Sequence, residues 1–275
     1  MGPRIGLIAG SGELPLLALD EAARRGWECL VAGVRGEASP DLEGRAAAFF
    51  WLDPGRPEEA VRFFKEGGAD GVLLAGKVAA GAYFRRADRE DGSGEWLEKA
   101  SDGRPASLIR TFIRFLEDRG LRVMDPGPFL APFFCPEGVL TVARPSTAME
   151  RDAALGWTIA RRMADLDIGQ TVVVKDLAVA AVEAAEGTDA AIRRAGDLAG
   201  PGTVAVKVSR TRQDLRVDVP GVGLSTIRAL IETGASALCL EAGRVAFFQR
   251  ERAVELADQN GLVLFARGER EGRDG

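Results

Sequence analysis

Histidine does not occur in this chain, and that absence excludes more than any other feature of the composition. Without imidazole there is no Ser-His-Asp or Cys-His relay, and no histidine-rich dinuclear centre of the kind common in metallophosphoesterases. Acid-base and metal chemistry must fall to Asp, Glu, Lys and water. Cysteine is scarce: Cys29, Cys135 and Cys239 stand far apart in apolar surroundings, odd in number and without CxxC spacing. They read as buried thiols in a reducing compartment. No apolar run approaches the roughly 20 residues of a membrane-spanning helix, and Met1-Gly2-Pro3-Arg4 leads into a strand-like run without a signal-peptide pattern. A cytoplasmic protein is expected. Positive charge is not in excess either, with 36 Lys and Arg against 41 Asp and Glu, a net charge of -5. The two signs are interspersed, so no basic face is left for a phosphate backbone and nucleic acid is excluded as a partner.

What is present is a chain of 275 residues, 46% apolar, enough for one or two packed domains. Arg4 to Ala9 is a short apolar run ending in Gly10-Ser11-Gly12, and Glu13 to Arg25 then has helical spacing, stopped by Gly26. Strands are expected at Trp27 to Val34, Ala46 to Leu52 and Gly71 to Ala75, with a helix at Pro57 to Gly67. Such alternation implies a parallel sheet with both faces covered. Ala79 to Arg104 is charged and glycine-rich, a surface excursion with a short helix near Trp96 to Ala100. A helix at Ala106 to Arg119 and a last strand at Leu121 to Met124 close the first half. The proline-dense stretch Asp125 to Pro136 should lack regular structure. The boundaries are set at 1–130 for an N-terminal domain with a parallel sheet, 131–146 for a linker and 147–275 for a C-terminal α/β domain. The second half starts with a helix from Thr147, read as its N-cap, to Ala164. Strands follow at Gln170 to Lys175, Leu177 to Ala184, Thr203 to Val208, Ala237 to Glu241, Val245 to Phe248 and Leu262 to Phe265. Its other helices are expected at Thr188 to Ala195, Leu224 to Glu232 and Glu251 to Gln259.

Several groups of residues are candidates for chemistry. Gly10 and Gly12, between a strand and a helix, suit either a phosphate or sugar contact or a plain tight turn. The full dinucleotide fingerprint fails, because Pro15 takes the third glycine position and no carboxylate ends the second strand. Lys77 stands just past a strand end, placed for a phosphate or simply solvated. Phe129, Phe133 and Phe134 either pack the junction or offer an apolar seam to acyl chains. In the second half, polar residues gather where strands meet helices: Asp167 to Gln170, Glu183 to Asp189, and Gln213 to Gly223. Carboxylates beside helix N-termini suit Mg²⁺, which takes one or two carboxylates plus water and substrate oxygens and needs no histidine. Thr188 and Asp189 also read as an ordinary N-cap and first-turn acid. Asp218 differs, because Val219-Pro220-Gly221-Val222-Gly223 would hold its carboxylate rigidly ahead of the next helix.

Taken in order, Ile8-Ala9-Gly10-Ser11-Gly12-Glu13-Leu14-Pro15, Asp167-Ile168-Gly169-Gln170, Val182 to Ala190, Lys207-Val208 and Gln213-Asp214-Leu215-Arg216-Val217-Asp218-Val219-Pro220 resemble the LpxI family. Glu241-Ala242-Gly243-Arg244 fits the same pattern, and the likeness runs nearly the whole chain. The family comprises UDP-2,3-diacylglucosamine pyrophosphatases of lipid A synthesis. The resemblance implies hydrolysis of that lipid-linked UDP-sugar to UMP and 2,3-diacylglucosamine 1-phosphate, by Mg²⁺-assisted water attack on the α-phosphorus. It also implies a Rossmann-like first domain, a distinct α/β second domain and a homodimer, and since both acyl chains of that substrate must leave a bilayer, transient contact with the inner membrane surface is expected. Carried over by motif, the essential aspartate falls on Asp218, with Asp214 and Asp189 as further metal candidates and Lys207 and Arg216 as cationic clamps on phosphate. Gln170, Glu186, Gly187, Thr188, Gln213 and Glu241, with Gly10, Gly12 and Lys77 in the first half, are the substrate-binding candidates. The alternative is a non-catalytic nucleotide-sugar or lipid-binding sensor using the same residues.

Overall fold

The computed structural model describes residues 2–78 and 105–268; the charged excursion expected at Ala79 to Arg104 lies outside them. The chain divides into two compact units, Met1–Leu130 with Asp214–Asp218, and Ala131–Gln213 with Val219–Gly275.

The first unit is built on β1 (Arg4–Ala9), β2 (Glu28–Val34), β3 (Ala48–Leu52) and β4 (Val72–Ala75). Their order is β3-β2-β1-β4 and every neighbouring pair is parallel. That is the strand order of a Rossmann half. The helices are α1 (Leu14–Arg24), α2 (Pro57–Glu66) and α3 (Pro105–Asp118). Side chains alternate across the sheet with the period of two that a strand imposes. Ile5, Leu7, Cys29, Val31 and Leu73 pack with Ala18, Leu19 and Ala22 of α1. Ile8, Leu30, Ala32 and Val72 pack with Phe64 of α2 and Phe112, Ile113 and Leu116 of α3. Both faces are therefore covered, as the apolar runs imply. Leu121 to Met124 is not a full strand: it makes one parallel bridge, Val72 to Val123, flanked by Val72 N to Arg122 O and Met124 N to Val72 O at 2.8 Å each.

The proline-dense stretch is more regular than expected. It holds a short α4 (Gly127–Leu130) and a 3-10 turn at Ala131–Phe133, and the two-residue β5 (Gly138–Val139) follows it. Pro128 falls in the first turn of α4, where a missing N-H interrupts no helical bond.

The second unit carries a mixed six-stranded sheet with a different plan. With β6 (Thr171–Lys175), β7 (Ala178–Val182), β8 (Val204–Lys207), β10 (Ala237–Glu241) and β12 (Val263–Arg267), the order is β5-β12-β10-β8-β6-β7. The central β12, β10 and β8 are parallel, while β5, β6 and β7 are antiparallel to their neighbours. One face packs on α5 (Thr147–Asp165) through Ala153, Ala160 and Met163. The other packs on α6 (Thr188–Ala199), α7 (Leu224–Glu232) and α8 (Arg250–Gln259) through Ile192, Ile227, Leu230 and Ala257. Ser146, not Thr147, caps α5: its hydroxyl accepts from Met149 N at 3.3 Å. The run at Val245 to Phe248 yields only β11 (Ala246–Phe247), which pairs in parallel with β9 (Gly221–Val222) outside the main sheet.

Candidate active site

The polar residues at the junctions of the second unit form a connected cluster. β8 ends in Lys207, only 5% exposed. Its ammonium donates to Thr188 Oγ1 at 2.7 Å and to Thr171 Oγ1 at 3.3 Å, and stands 3.6 Å from Glu183 Oε2. Thr188 opens α6, whose N-cap is Gly187. Its hydroxyl does not cap the helix; it donates to Glu183 Oε1 at 2.9 Å while accepting from Lys207. Gln170 N donates to Glu183 Oε2 at 3.2 Å. That approach needs Gly169, since a Cβ there would sit 2.1 Å from the Glu183 carbonyl oxygen. Burial pushes the Glu183 carboxyl up, but Lys207, the Thr171 and Thr188 hydroxyls and the Gln170 N-H outweigh it and hold it below the ordinary carboxylate range. Two opposite charges are thus buried together, each hydrogen-bonded, the condition under which burial of charge is tolerated.

Asp189 is placed in the same helix turn, where it accepts from Thr226 Oγ1 of α7 at 2.7 Å. Glu186 is exposed and pairs with Arg194 at 2.6 Å, whose hydrogen bond lowers its carboxyl.

A second cluster fixes the loop after β8. Glu241, at the end of β10, is fully buried and accepts from Ser209 N at 2.7 Å, from Ser209 Oγ at 2.8 Å and from Arg161 of α5. Arg161 also donates to the Ser209 carbonyl. Arg244 donates to the carbonyls of Arg210 and Thr211 at 2.7 and 3.0 Å, and Gln213 Oε1 accepts from Arg210 N at 3.1 Å. Asp167 pairs with Arg210, and Asp165 accepts from Thr211 N and Oγ1 at 2.8 and 2.7 Å. Desolvation raises the Asp165 carboxyl, but the two Thr211 bonds, with Arg161 and Arg210, leave it lowered. Glu241 and Gln213 are therefore engaged with this loop. Replacing Glu241 with glutamine is expected to lower stability by about 1–3 kcal/mol, since it weakens acceptance from a buried guanidinium and a buried N-H. The measurement is the shift in urea midpoint, and an unshifted midpoint would remove Glu241 from this role.

The segment Asp214–Asp218 belongs to the first unit. Val217 is buried in the cluster of Phe112, Phe115 and Leu116, and Leu215 lies against Gly127. A turn is closed by Val217 N and Asp218 N donating to Asp214 O at 3.0 and 3.2 Å. Asp214 grips Arg216 at 3.0 and 2.9 Å, and that hydrogen bonding lowers the aspartate and raises the arginine. Arg216 also reaches Glu117 at 3.5 Å. Asp218 is half-buried. In the same unit Gly10, Gly12 and Lys77 meet where β1 and β4 end: Ser11 N and Oγ donate to Lys77 O at 2.7 and 2.8 Å, and Lys77 N returns a bond to Ser11 O at 3.0 Å. A Cβ on Gly10 would lie 2.4 Å from that Lys77 oxygen, so the glycine permits two chain segments to touch. Gly12 has φ of 92° with open space beside it, and the Lys77 side chain is exposed.

The structure therefore gathers Lys207, Thr188 and Gln170 around Glu183, and Asp214, Arg216 and Asp218 in one turn of the other unit. No three carboxylates or thiols converge as a preformed metal cage among the described residues. Sequence reasoning passed over Glu183, Thr171, Arg161 and Ser209 as individual site residues. The usable signal for Glu183 was a lysine ending an apolar strand, which demands a nearby counter-charge.

Comparison with known proteins follows the same division. A model of the LpxI N-terminal domain matches residues 4–133, and a model of the LpxI C-terminal domain matches residues 136–265. The chain belongs to the LpxI family. A relative from Caulobacter vibrioides, UDP-2,3-diacylglucosamine pyrophosphatase LpxI, is 31% identical over 274 residues, which is 95% of this chain and 96% of the relative. Among solved structures, a GalE-like L-threonine dehydrogenase from Cupriavidus necator aligns at 13% identity and TM-score 0.31, covering 97% of this chain and 86% of that one. A UDP-glucose 4-epimerase from Thermotoga maritima aligns at 16% identity and TM-score 0.27, over 53% of this chain and 42% of that one. Both scores are low, and nothing about the chemistry of this LpxI family member follows from them. No helix among the described residues is long and apolar enough to cross a membrane.

Proposed function

We propose that this LpxI family member hydrolyses UDP-2,3-diacylglucosamine to UMP and 2,3-diacylglucosamine 1-phosphate. The observation that carries the reading is the match of both LpxI domain models, together spanning nearly the whole chain. A water oxygen bonds to the α-phosphorus, the bond from that phosphorus to the bridging oxygen breaks, and the β-phosphate leaves on the sugar as one proton is released.

With no histidine in the chain, Asp218 takes the part of orienting the water and receiving its proton. Lys207 and Arg216 supply positive charge to phosphate oxygens, the kind of fixed electrostatic stabilisation that carries most of phosphoryl-transfer catalysis. Of the three donors on Lys207, two bond to Thr188 and Thr171, which leaves one N-H for a phosphate. Gly187, Thr188 and Gln170 around it, and Gly10, Gly12 and Lys77 in the first unit, are the binding groups of this reading. Mg²⁺ suits the donor chemistry in one form: a single carboxylate, Asp218, completed by water and substrate oxygens. Asp214, gripped by Arg216, and Asp189, accepting from Thr226, are the further carboxylate candidates of this reading. When bound, the ion neutralises phosphate charge and makes a water more acidic. The same reading includes a homodimer and a transient visit to the cytoplasmic face of the inner membrane, since both acyl chains must leave a bilayer.

Purified protein should release UMP from UDP-2,3-diacylglucosamine in the presence of Mg²⁺ and stop when EDTA is added, as followed by chromatography of the nucleotide. Saturable binding of the substrate with no UMP formed would replace the enzyme with a sensor.

A further inference from the structure

We infer that Glu183 is a positioning residue that aims the Lys207 ammonium at phosphate, acting through the Thr188 hydroxyl. The inference rests on the role of Lys207 proposed above, and three observations support it. Lys207 is almost fully enclosed, so its direction is set by its neighbours and not by solvent. The Glu183 carboxylate does not take a direct hydrogen bond from the ammonium, standing at 3.6 Å, while Thr188 bridges them with bonds of 2.7 and 2.9 Å. Finally, Glu183 is itself held, by Gln170 N at 3.2 Å and by the close packing at Gly169.

A buried ion pair is a poor source of stability. Replacing both partners with apolar groups is often neutral or better, because desolvation offsets the Coulomb gain. A pair kept in this form is better explained by a need for a desolvated, fixed cation. The geometry fits that need: strand β8 delivers Lys207 beside the first turn of α6, whose N-H groups and dipole favour the same anion. Thr188 accepts a hydrogen bond from the ammonium, and its own O-H donates to Glu183. That ordering, with the bond to Thr171, fixes two of the three ammonium donors.

The test uses the full chain and two readouts. In protein labelled with ¹⁵N at the side-chain nitrogens of its five lysines, Lys207 should give an ammonium signal protected from solvent exchange, identified by its loss in Lys207→Arg. Glu183→Gln should weaken that protection and Glu183→Asp restore part of it; a signal indifferent to Glu183 overturns the inference. In turnover, Glu183→Gln should lower kcat about tenfold or more with KM changed by less than about threefold, the signature of an interaction made chiefly in the transition state. Added to Lys207→Met, the same change should cost less than about twofold further, because residues acting as a unit are not additive. Equal proportional losses in both backgrounds would assign Glu183 an independent role and overturn the inference. If the parent protein releases no UMP, the proposed function falls, and the ammonium signal still decides whether Glu183 holds Lys207. Where Lys207→Met does not fold, the ammonium signal in Glu183→Gln decides the matter alone.

Discussion

Asp218→Asn should reduce UMP release by at least about a hundredfold while leaving the protein folded, a loss of the size seen when one preorganised electrostatic group is removed from a reacting centre. The substitution keeps shape and removes charge. The turn around it is closed by backbone bonds to Asp214 O, and its apolar anchors are the buried Val217 and, against Gly127, Leu215. Circular dichroism and melting temperature should therefore stay close to those of the parent. The dependence on Mg²⁺ separates two roles for the carboxylate. If Asp218 holds the ion, raising Mg²⁺ should recover part of the rate; if it receives the water proton, the loss should persist at saturating Mg²⁺ and respond to pH. A variant within about threefold of the parent would move the essential group elsewhere and leave Asp218 as a loop residue.

Lys207→Met should damage both stability and activity, and in a pH-dependent way. Removing one member of a buried ion pair typically costs about 3–5 kcal/mol, because the remaining charge loses its partner without regaining water. In the parent, Glu183 has a carboxyl held below its ordinary value. Its contribution is present above the unfolded carboxylate range and fades as pH falls through the lowered folded value. In Lys207→Met, burial acts without the opposing ammonium, so the folded carboxyl rises relative to the parent, with the Thr171, Thr188 and Gln170 hydrogen bonds still opposing burial. The stability that Glu183 contributes in the parent as pH rises above the carboxylate range is then reduced or lost. The penalty against the parent should thus be larger at pH 7 than at pH 4, as read from urea midpoints at each pH. Adding Glu183→Gln removes the isolated charge and should return part of the lost stability at neutral pH. A penalty of equal size at both pH values would mean that Glu183 is not the partner that matters.

The clusters differ in how far they could be read in one dimension. The α/β architecture was legible because burial on both faces of a sheet produces apolar runs, as in Arg4–Ala9 and Thr171–Lys175, and intervening helices repeat at 3.6 residues. Thr188 could be named as a candidate from its junction and Lys207 through the LpxI resemblance, but the link from Lys207 to Glu183 could not be read, because the two residues stand 24 positions apart in the chain. Thr188 and Asp189 looked like an N-cap and a first-turn acid; the structure gives the cap to Gly187 and directs both side chains to partners on other elements. Glu241, a substrate-binding candidate by its place in the family pattern, is fully buried and accepts from Ser209 and Arg161, contacts that no local spacing announces.

The sequence by itself determined the chemistry open to this protein: no imidazole, hence carboxylates and buried cations, arranged in motifs that resemble the LpxI family along nearly the whole chain. It also determined two α/β layers, since hydrophobic period is a local property. Only the tertiary structure decided that Asp214–Asp218 folds with the first unit although it follows β8 of the second. Only it decided that Lys207 is neutralised by Glu183 through a threonine. Both follow from contacts between residues far apart in the chain, where burial of Val217 and the need to compensate a buried charge select the partner, and neither constraint leaves a period in the sequence.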